Sequence, residues 1–189
     1  MLIDDKKFIL ASASPRRKEL FSLVANQFDI VVPRVEEKIP DGMRAQLCPE
    51  YLAKIKAEAV ARDYHDHIVV GADTAVILQD QILGKPKDRN SAIDMLKLLS
   101  GKTHRVITGC AVCVKGKLHT FSSITEVEFY TLNINEIEAY VNTSEPYDKA
   151  GAYGIQGLGS LFVKSIRGDY FNVVGLPVAE LSRFIKKHS

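Results

Sequence analysis

Residues 68–86 read IVVGADTAVILQDQILGKP, and the fold turns on how they are read. Ile68-Val69-Val70 is an unbroken apolar run that passes through Gly71 and Ala72 and meets an acid at Asp73. A run of this kind suits a strand covered on both faces. That places the chain in the α/β class, where ligands gather at the edge at which such strands end. Asp73 is therefore expected at a strand end and at a site. The chain should then return through Ala75-Val76-Ile77-Leu78, turn at Gln79-Asp80-Gln81, and run Ile82-Leu83 into Gly84-Lys85-Pro86. Lys85, just past a glycine, would bring a mobile cation to the ligand that Asp73 faces.

Working outward, 189 residues with 46% hydrophobic content suffice for one well-buried core, and a single domain over residues 1–189 is expected. Twenty-five basic side chains against 23 acidic ones leave a formal net charge of +2, too little for a global field that favours nucleic acid or a membrane surface. Any anionic ligand must be held by local groups. The opening MLIDDKKFIL has too short an apolar segment for a signal peptide and no later run approaches a membrane span, so a cytoplasmic protein is expected. Three cysteines, Cys48, Cys110 and Cys113, are too few for a disulfide framework and agree with a reducing compartment. Cys110 and Cys113 form a C-x-x-C, but residues three apart on a strand point to opposite faces and cannot jointly grip a metal.

On the N-terminal side, Phe8-Ile9-Leu10-Ala11 reads as a strand, and Ser14-Pro15 starts a helix with serine as N-cap and proline in the first position. Leu20, Phe21, Leu23 and Val24 supply its apolar face. A helix start with Arg16 and Arg17 beside it favours phosphate, although a capped surface helix with solvated arginines explains the same residues. Phe28 to Val32 is a second strand and Pro33 to Cys48 is irregular. Within it, Glu36-Glu37 is either a solvated face or a hard-oxygen ligand for a divalent cation. Pro49 to Asp63 is a helix with Leu52, Ile55, Ala59 and Val60 inward. At about 100° per residue, Lys56 falls roughly 40° from Leu52 and Lys54 roughly 160° away, so Lys54 is solvated while Lys56 either snorkels or enters a pocket. His65-Asp66-His67 has no third ligand at metal spacing and reads as a polar turn.

On the C-terminal side, Asp88 to Ser100 is a helix with Ala92, Met95, Leu96 and Leu99 inward. Arg105 to Val114 and Leu118 to Tyr130 form a hairpin around Lys115-Gly116-Lys117. His104, near its start, reads as a structural hydrogen-bonder more than a catalyst. Asn133 to Asn142 is a helix opened by a capping box, Asn133 with Glu136. Lys149 to Gly159 carries four glycines, so the backbone turns tightly or approaches something closely there, yet it matches neither a P-loop nor a dinucleotide fingerprint. A strand from Leu161 to Ile166, a turn or short helix from Gly168 to Val174 and a closing helix from Leu176 to Lys186 complete the chain.

Taken together, the ordered set Ser12-Ala13-Ser14-Pro15-Arg16-Arg17, Val35-Glu36-Glu37, Leu52 to Ala57, Gly71-Ala72-Asp73-Thr74, Gly84-Lys85-Pro86, Leu99-Ser100-Gly101, Lys149 to Gly157 and Gly175-Leu176-Pro177 resembles the Maf family of nucleoside triphosphate pyrophosphatases, sometimes linked to septum formation. The resemblance implies an inosine-triphosphatase-like mixed twisted sheet flanked by helices, with two lobes around a nucleotide cleft, often as a homodimer. It implies cleavage between the α- and β-phosphates with a divalent metal cation, Mg²⁺ or Mn²⁺, and Asp73 as general base. Positions matching Arg16, Thr74 and Gln156 mark the subgroup acting on dTTP and UTP.

The residue chemistry is consistent with this. Attack of water on phosphorus needs a positioned base, a metal on the phosphate oxygens and cations for the leaving pyrophosphate. Asp73 suits base or metal ligand and Glu37 metal ligand. Arg16, Lys56 and Lys85 suit a cationic clamp, with Ser12 and Ser14 at the phosphate end. The Gln156 amide offers a donor beside an acceptor, which matches a uracil or thymine edge. The competing class is a nucleotide-binding regulator of cell division that hydrolyses little.

Overall fold

The computed structural model describes Ile3 and residues 6–189. Strand β1 (Phe8–Ala11) is followed by helix α1 (Pro15–Phe21), short strand β2 (Asp29–Ile30), helix α2 (Cys48–Ala61), strand β3 (Ile68–Leu78), strand β4 (Gln81–Leu83) and helix α3 (Arg89–Leu99). The long hairpin β5 (Thr103–Val114) and β6 (Lys117–Phe129) leads to helix α4 (Ile134–Val141), strand β7 (Val163–Arg167), helix α5 (Tyr170–Val174) and helix α6 (Val178–His188). Seven strands form one mixed sheet in the order β2-β1-β3-β5-β6-β7, with β4 beside β3. β1 runs parallel to β2 and β3, and the other pairs are antiparallel.

The expectation that the strand ends on Asp73 is corrected: β3 spans eleven residues and runs past Asp73 to Leu78. Its β5 edge is paired without a break from Val69 to Ile77. Its other edge is shared between two partners, β1 up to Gly71 and β4 from Val76. Among the described residues, Ala72 to Ala75 therefore have no strand beside them on that edge. The break in the sheet arises where β1 stops, and it provides the opening that a strand end was expected to give. Beyond it β3 turns through Gln79 and Asp80, both at positive φ, and β4 folds back as expected.

Each face of the sheet is covered differently. On one, Leu20 and Phe21 of α1, Leu96 and Leu99 of α3, Ile137 of α4, and Leu181 and Ile185 of α6 pack on Leu10, Val70, Ala72 and Val76. On the other lies α2. A Cβ on Gly71 would stand 2.5 Å from the Ala53 carbonyl oxygen, and one on Gly109 would overlap the Pro49–Glu50 backbone, so both glycines let α2 rest directly on β3 and β5. This close approach shifts the buried stripe of α2 from the expected set. Leu52 and Val60 are buried, but Ala53 and Ala57 take the places expected of Ile55 and Ala59, which are half-buried. Small side chains are what fit against a glycine surface.

Three further expectations shift. The α1 helix ends at Phe21, so Leu23 leaves the apolar face and is exposed. The second strand shrinks to two exposed residues at the sheet edge. Met95 is only partly buried, with Ile93 taking its place inward. The expected capping box forms between Asn133 and Glu136, and α3 has one as well, Asp88 with Ser91. Cys110 and Cys113 sit in clusters on opposite faces of the sheet, both with free thiols.

Candidate functional site

A cavity of about 560 Å³ opens at the break in the sheet edge. All nine singled-out residues line it: Ser12, Ser14, Arg16, Glu37, Lys56, Asp73, Thr74, Lys85 and Gln156. Asp73 and Thr74 are neighbours on a strand and point to opposite faces of the sheet. Both reach the same cavity because it wraps around the unpaired edge.

On the α2 face, the Lys56 ammonium donates to Asp73 Oδ1 at 2.6 Å and pairs with Glu37 Oε2 at 2.9 Å. Its side chain is only 10% exposed, against 47% for Lys54, which makes a long pair with Glu58 at 3.9 Å. The helical phase thus separates the two lysines as expected, and the open choice for Lys56 falls to the pocket. Lys56 occupies the fourth position after Leu52 and is carried inward by the same stripe. A positive group between Glu37 and Asp73 is what two converging carboxylates require, so this pair also supplies hard oxygen ligands suited to a divalent cation. No group of three or more metal-ligating side chains occurs among the described residues, His65-Asp66-His67 included.

On the opposite face, the side chain of Arg17 is held from two sides. Its Nε donates to the Gly175 carbonyl at 3.0 Å and its Nη2 to Thr74 Oγ1 at 3.0 Å. Thr74 Oγ1 lies 2.9 Å from Thr108 Oγ1, and Thr108 donates to the Asn172 carbonyl at 3.0 Å. The direction of this chain follows from its ends. A carbonyl only accepts and a guanidinium only donates, so Thr108 spends its proton on Asn172, accepts from Thr74, and Thr74 accepts from Arg17. The Thr74 proton is thereby directed into the protein and not into the cavity. Burial lowers the Arg17 pKa, and the Asp73 carboxylate opposes that shift.

Around the start of α1, Ser12 Oγ accepts from the Ser14 N–H at 3.1 Å and Ser14 Oγ accepts from the Arg17 N–H at 3.4 Å, the expected N-cap. Each hydroxyl accepts from backbone and keeps its own proton to donate. The adjacent arginines part company: Arg16 reaches across the cavity to Asp148, Nη1 to Oδ2 at 2.9 Å, while Arg17 turns inward. Lys85 is exposed, at the mouth, with no partner among the described residues.

The far wall is the glycine-rich segment. Gly151 takes φ 71° and sits against Val76, and its N–H donates to the Gly84 carbonyl at 3.0 Å, tying this wall to the turn that carries Lys85. Ala152 also has positive φ, 59°, a strained position for a residue with a Cβ. Tyr153 next to it is pinned from beneath by His104, Nε2 to the phenol oxygen at 2.8 Å. His104 is a buried strut, as expected, with burial pushing its pKa down to about 4. Gln156 is exposed on the cavity wall and makes no hydrogen bond among the described residues.

Several residues in and behind the cavity wall carried no signal of their own. Asp148 and Lys149 belong to the Arg16 network, Lys149 Nζ donating to Asp148 Oδ1 at 2.6 Å. Thr108 is an ordinary strand residue until Thr74 is placed beside it.

Comparisons with known proteins give the chain its relatives. The family model described as Maf-like protein matches residues 7–188. A Bacillus cereus protein named dTTP/UTP pyrophosphatase is 53% identical over 182 residues, covering 96% of this chain and 95% of that one. A Bacillus anthracis protein of the same name is likewise 53% identical, with the same coverage. Among solved structures, the Staphylococcus aureus Ham1 protein superposes with a TM-score of 0.59 at 14% identity, covering 97% of this chain and all of that one. A HAM1 protein from Coxiella burnetii gives 0.54 at 12% identity, over 96% and 99% of the two chains. The two structural likenesses bear out the expected mixed-sheet fold, and by the family match and the close relatives the chain belongs to the Maf-like protein family.

Proposed function

We propose that the chain hydrolyses nucleoside triphosphates, dTTP and UTP foremost, between the α- and β-phosphates to give the nucleoside monophosphate and pyrophosphate. The observation that carries the reading is the Asp73–Lys56–Glu37 cluster at the sheet break, in a chain 53% identical to proteins named for this activity. Asp73 Oδ1 is engaged by Lys56, which fixes the carboxylate and leaves Oδ2 to take a proton from the attacking water. Glu37 and Asp73 would hold a divalent cation, Mg²⁺ or Mn²⁺, with triphosphate oxygens completing its shell, and the ion would neutralise charge on the phosphates. Ser12 and Ser14 donate hydroxyl protons to the phosphate chain. Arg16, Lys56 and Lys85 supply positive charge around the departing pyrophosphate.

At the other end, Gln156 presents its unpartnered amide to the base, carbonyl to ring N–H and NH₂ to ring carbonyl. Thr74 acts indirectly in this reading, by holding Arg17. The same reading has the protein working as a homodimer in the cytoplasm, where light scattering should give twice the mass of the chain. The test of function is a panel of canonical and modified triphosphates with Mg²⁺ or Mn²⁺, followed by pyrophosphate release. dTTP and UTP should lead. No pyrophosphate from either defeats the reading, and a preference for inosine or 7-methylguanosine nucleotides defeats the pyrimidine assignment.

A further inference from the structure

We propose that Glu145 is the positioning residue of the base-reading loop, holding the segment that carries Gln156 and setting pyrimidine selectivity without touching the nucleotide. The inference rests on the reading of Gln156 given above.

Gln156 sits between Gly154 and Gly157, with Gly159 beyond, and such a backbone does not hold one conformation by itself. The structure supplies the constraint from outside the loop. The Glu145 carboxylate accepts from the Leu158 N–H at 2.8 Å, the Gly159 N–H at 3.1 Å and the Tyr140 hydroxyl at 2.9 Å. The Tyr140 oxygen in turn accepts from the Gly154 N–H at 3.1 Å. Gln156 is thus flanked, two residues away on each side, by an amide anchored to the Glu145–Tyr140 pair. The glycines fit the same centre: a Cβ on Gly157 would overlap the Glu145 carboxylate, and one on Gly154 would lie 3.0 Å from its Oε1.

The carboxylate form is what this pocket selects. Burial alone would raise the Glu145 pKa, but the Gly159 and Leu158 amides, the Tyr140 hydroxyl and the Lys149 ammonium outweigh it and hold the pKa below the usual range. Three donors converge on two oxygens, and an amide side chain would turn its own donors against one of them. The Glu145 backbone carbonyl also accepts from Lys149 Nζ at 2.8 Å, and Lys149 binds Asp148, which binds Arg16. Glu145 therefore ties the Gln156 loop to the arginine that reaches across the cavity.

The test is Glu145→Gln in the full chain, with kcat and KM for dTTP and GTP measured beside the unsubstituted protein. The ratio of kcat/KM for dTTP over GTP should fall about tenfold, mainly through KM for dTTP, because a lost hydrogen bond to a charged group corresponds to a change of that order. Amide exchange should quicken at residues 154–159 and stay unchanged in β3. Gly157→Ala displaces the loop from the other side and should lower the same ratio, which keeps the test open if Glu145→Gln folds poorly. An unchanged ratio in both variants, or an equal loss on both substrates, overturns the inference and leaves the hydrolase reading standing. Absence of pyrimidine preference in the unsubstituted protein overturns the Gln156 reading itself, and the inference with it.

Discussion

The two ends of the cavity are built in opposite ways. At the Asp73 end the central polar groups are paired across regular elements: Lys56 on α2 with Asp73 on β3, and Arg17 on α1 with Thr74 on β3. At the Gln156 end the side-chain amide is unpaired and exposed, on irregular backbone whose flanking N–H groups are bound by Glu145 and Tyr140. The difference is one of rigidity and division of labour. In the proposed reading, chemistry at phosphorus tolerates little misplacement and would be mounted on the sheet, whereas recognition of a base needs a free donor and acceptor and would be mounted on a braced loop.

Substitutions at the two ends should therefore differ in kind, and the largest effect is expected at the rigid one. Asp73→Asn keeps size and removes the proton acceptor, so turnover should fall by roughly 10²-fold or more with the melting temperature little changed. Near-normal turnover would move the base to Glu37. Lys56→Ala removes the cation between two carboxylates, and kcat/KM should drop by roughly 10²-fold, the scale of losing one transition-state donor.

Thr74 separates support from contact. Thr74→Val deletes the acceptor for Arg17 and the donor to Thr108, which should cost about 1–3 kcal/mol in denaturant unfolding together with activity. Thr74→Ser keeps both bonds and should be mild, and equal loss in the two variants would break the hydrogen-bond chain as an explanation. At the recognition end, Gln156→Glu should change the ranking of pyrimidine against purine triphosphates by about tenfold, with stability within about 0.5 kcal/mol, as for an exposed side chain. An unchanged ranking would take Gln156 out of base recognition. Least of all, Lys54→Ala should shift stability by less than about 1 kcal/mol and leave turnover alone, since its ion pair is long and exposed. A larger effect there than at Lys56 would overturn the helical phasing.

Much of the rigid end was legible in the sequence because local pattern carries it. An acid in an apolar run marked Asp73, the spacing from Leu52 marked Lys56, and the Ser14-Pro15 pair marked the start of α1. What the pattern missed was non-local. Asp73 lies within β3 and not at its end, because the opening depends on where β1 stops and β4 begins, and those strands lie about 60 residues before and only a few after it. The alanine face of α2 was hidden because Ala53 and Ala57 matter only opposite Gly71 and Gly109. Arg16 and Arg17 read as one basic pair, and only the fold sends them to different partners. Glu145 was invisible for the same reason: its bonds go to backbone N–H groups at Leu158 and Gly159, which carry no side-chain signature.

The central claim is that water, positioned by Asp73, attacks the α-phosphorus. Hydrolysis of dTTP in ¹⁸O-labelled water, with the products separated and weighed by mass spectrometry, tests it directly. The account predicts one labelled oxygen in the nucleoside monophosphate and none in the pyrophosphate. Label in the pyrophosphate, or release of orthophosphate with a nucleoside diphosphate, would contradict it.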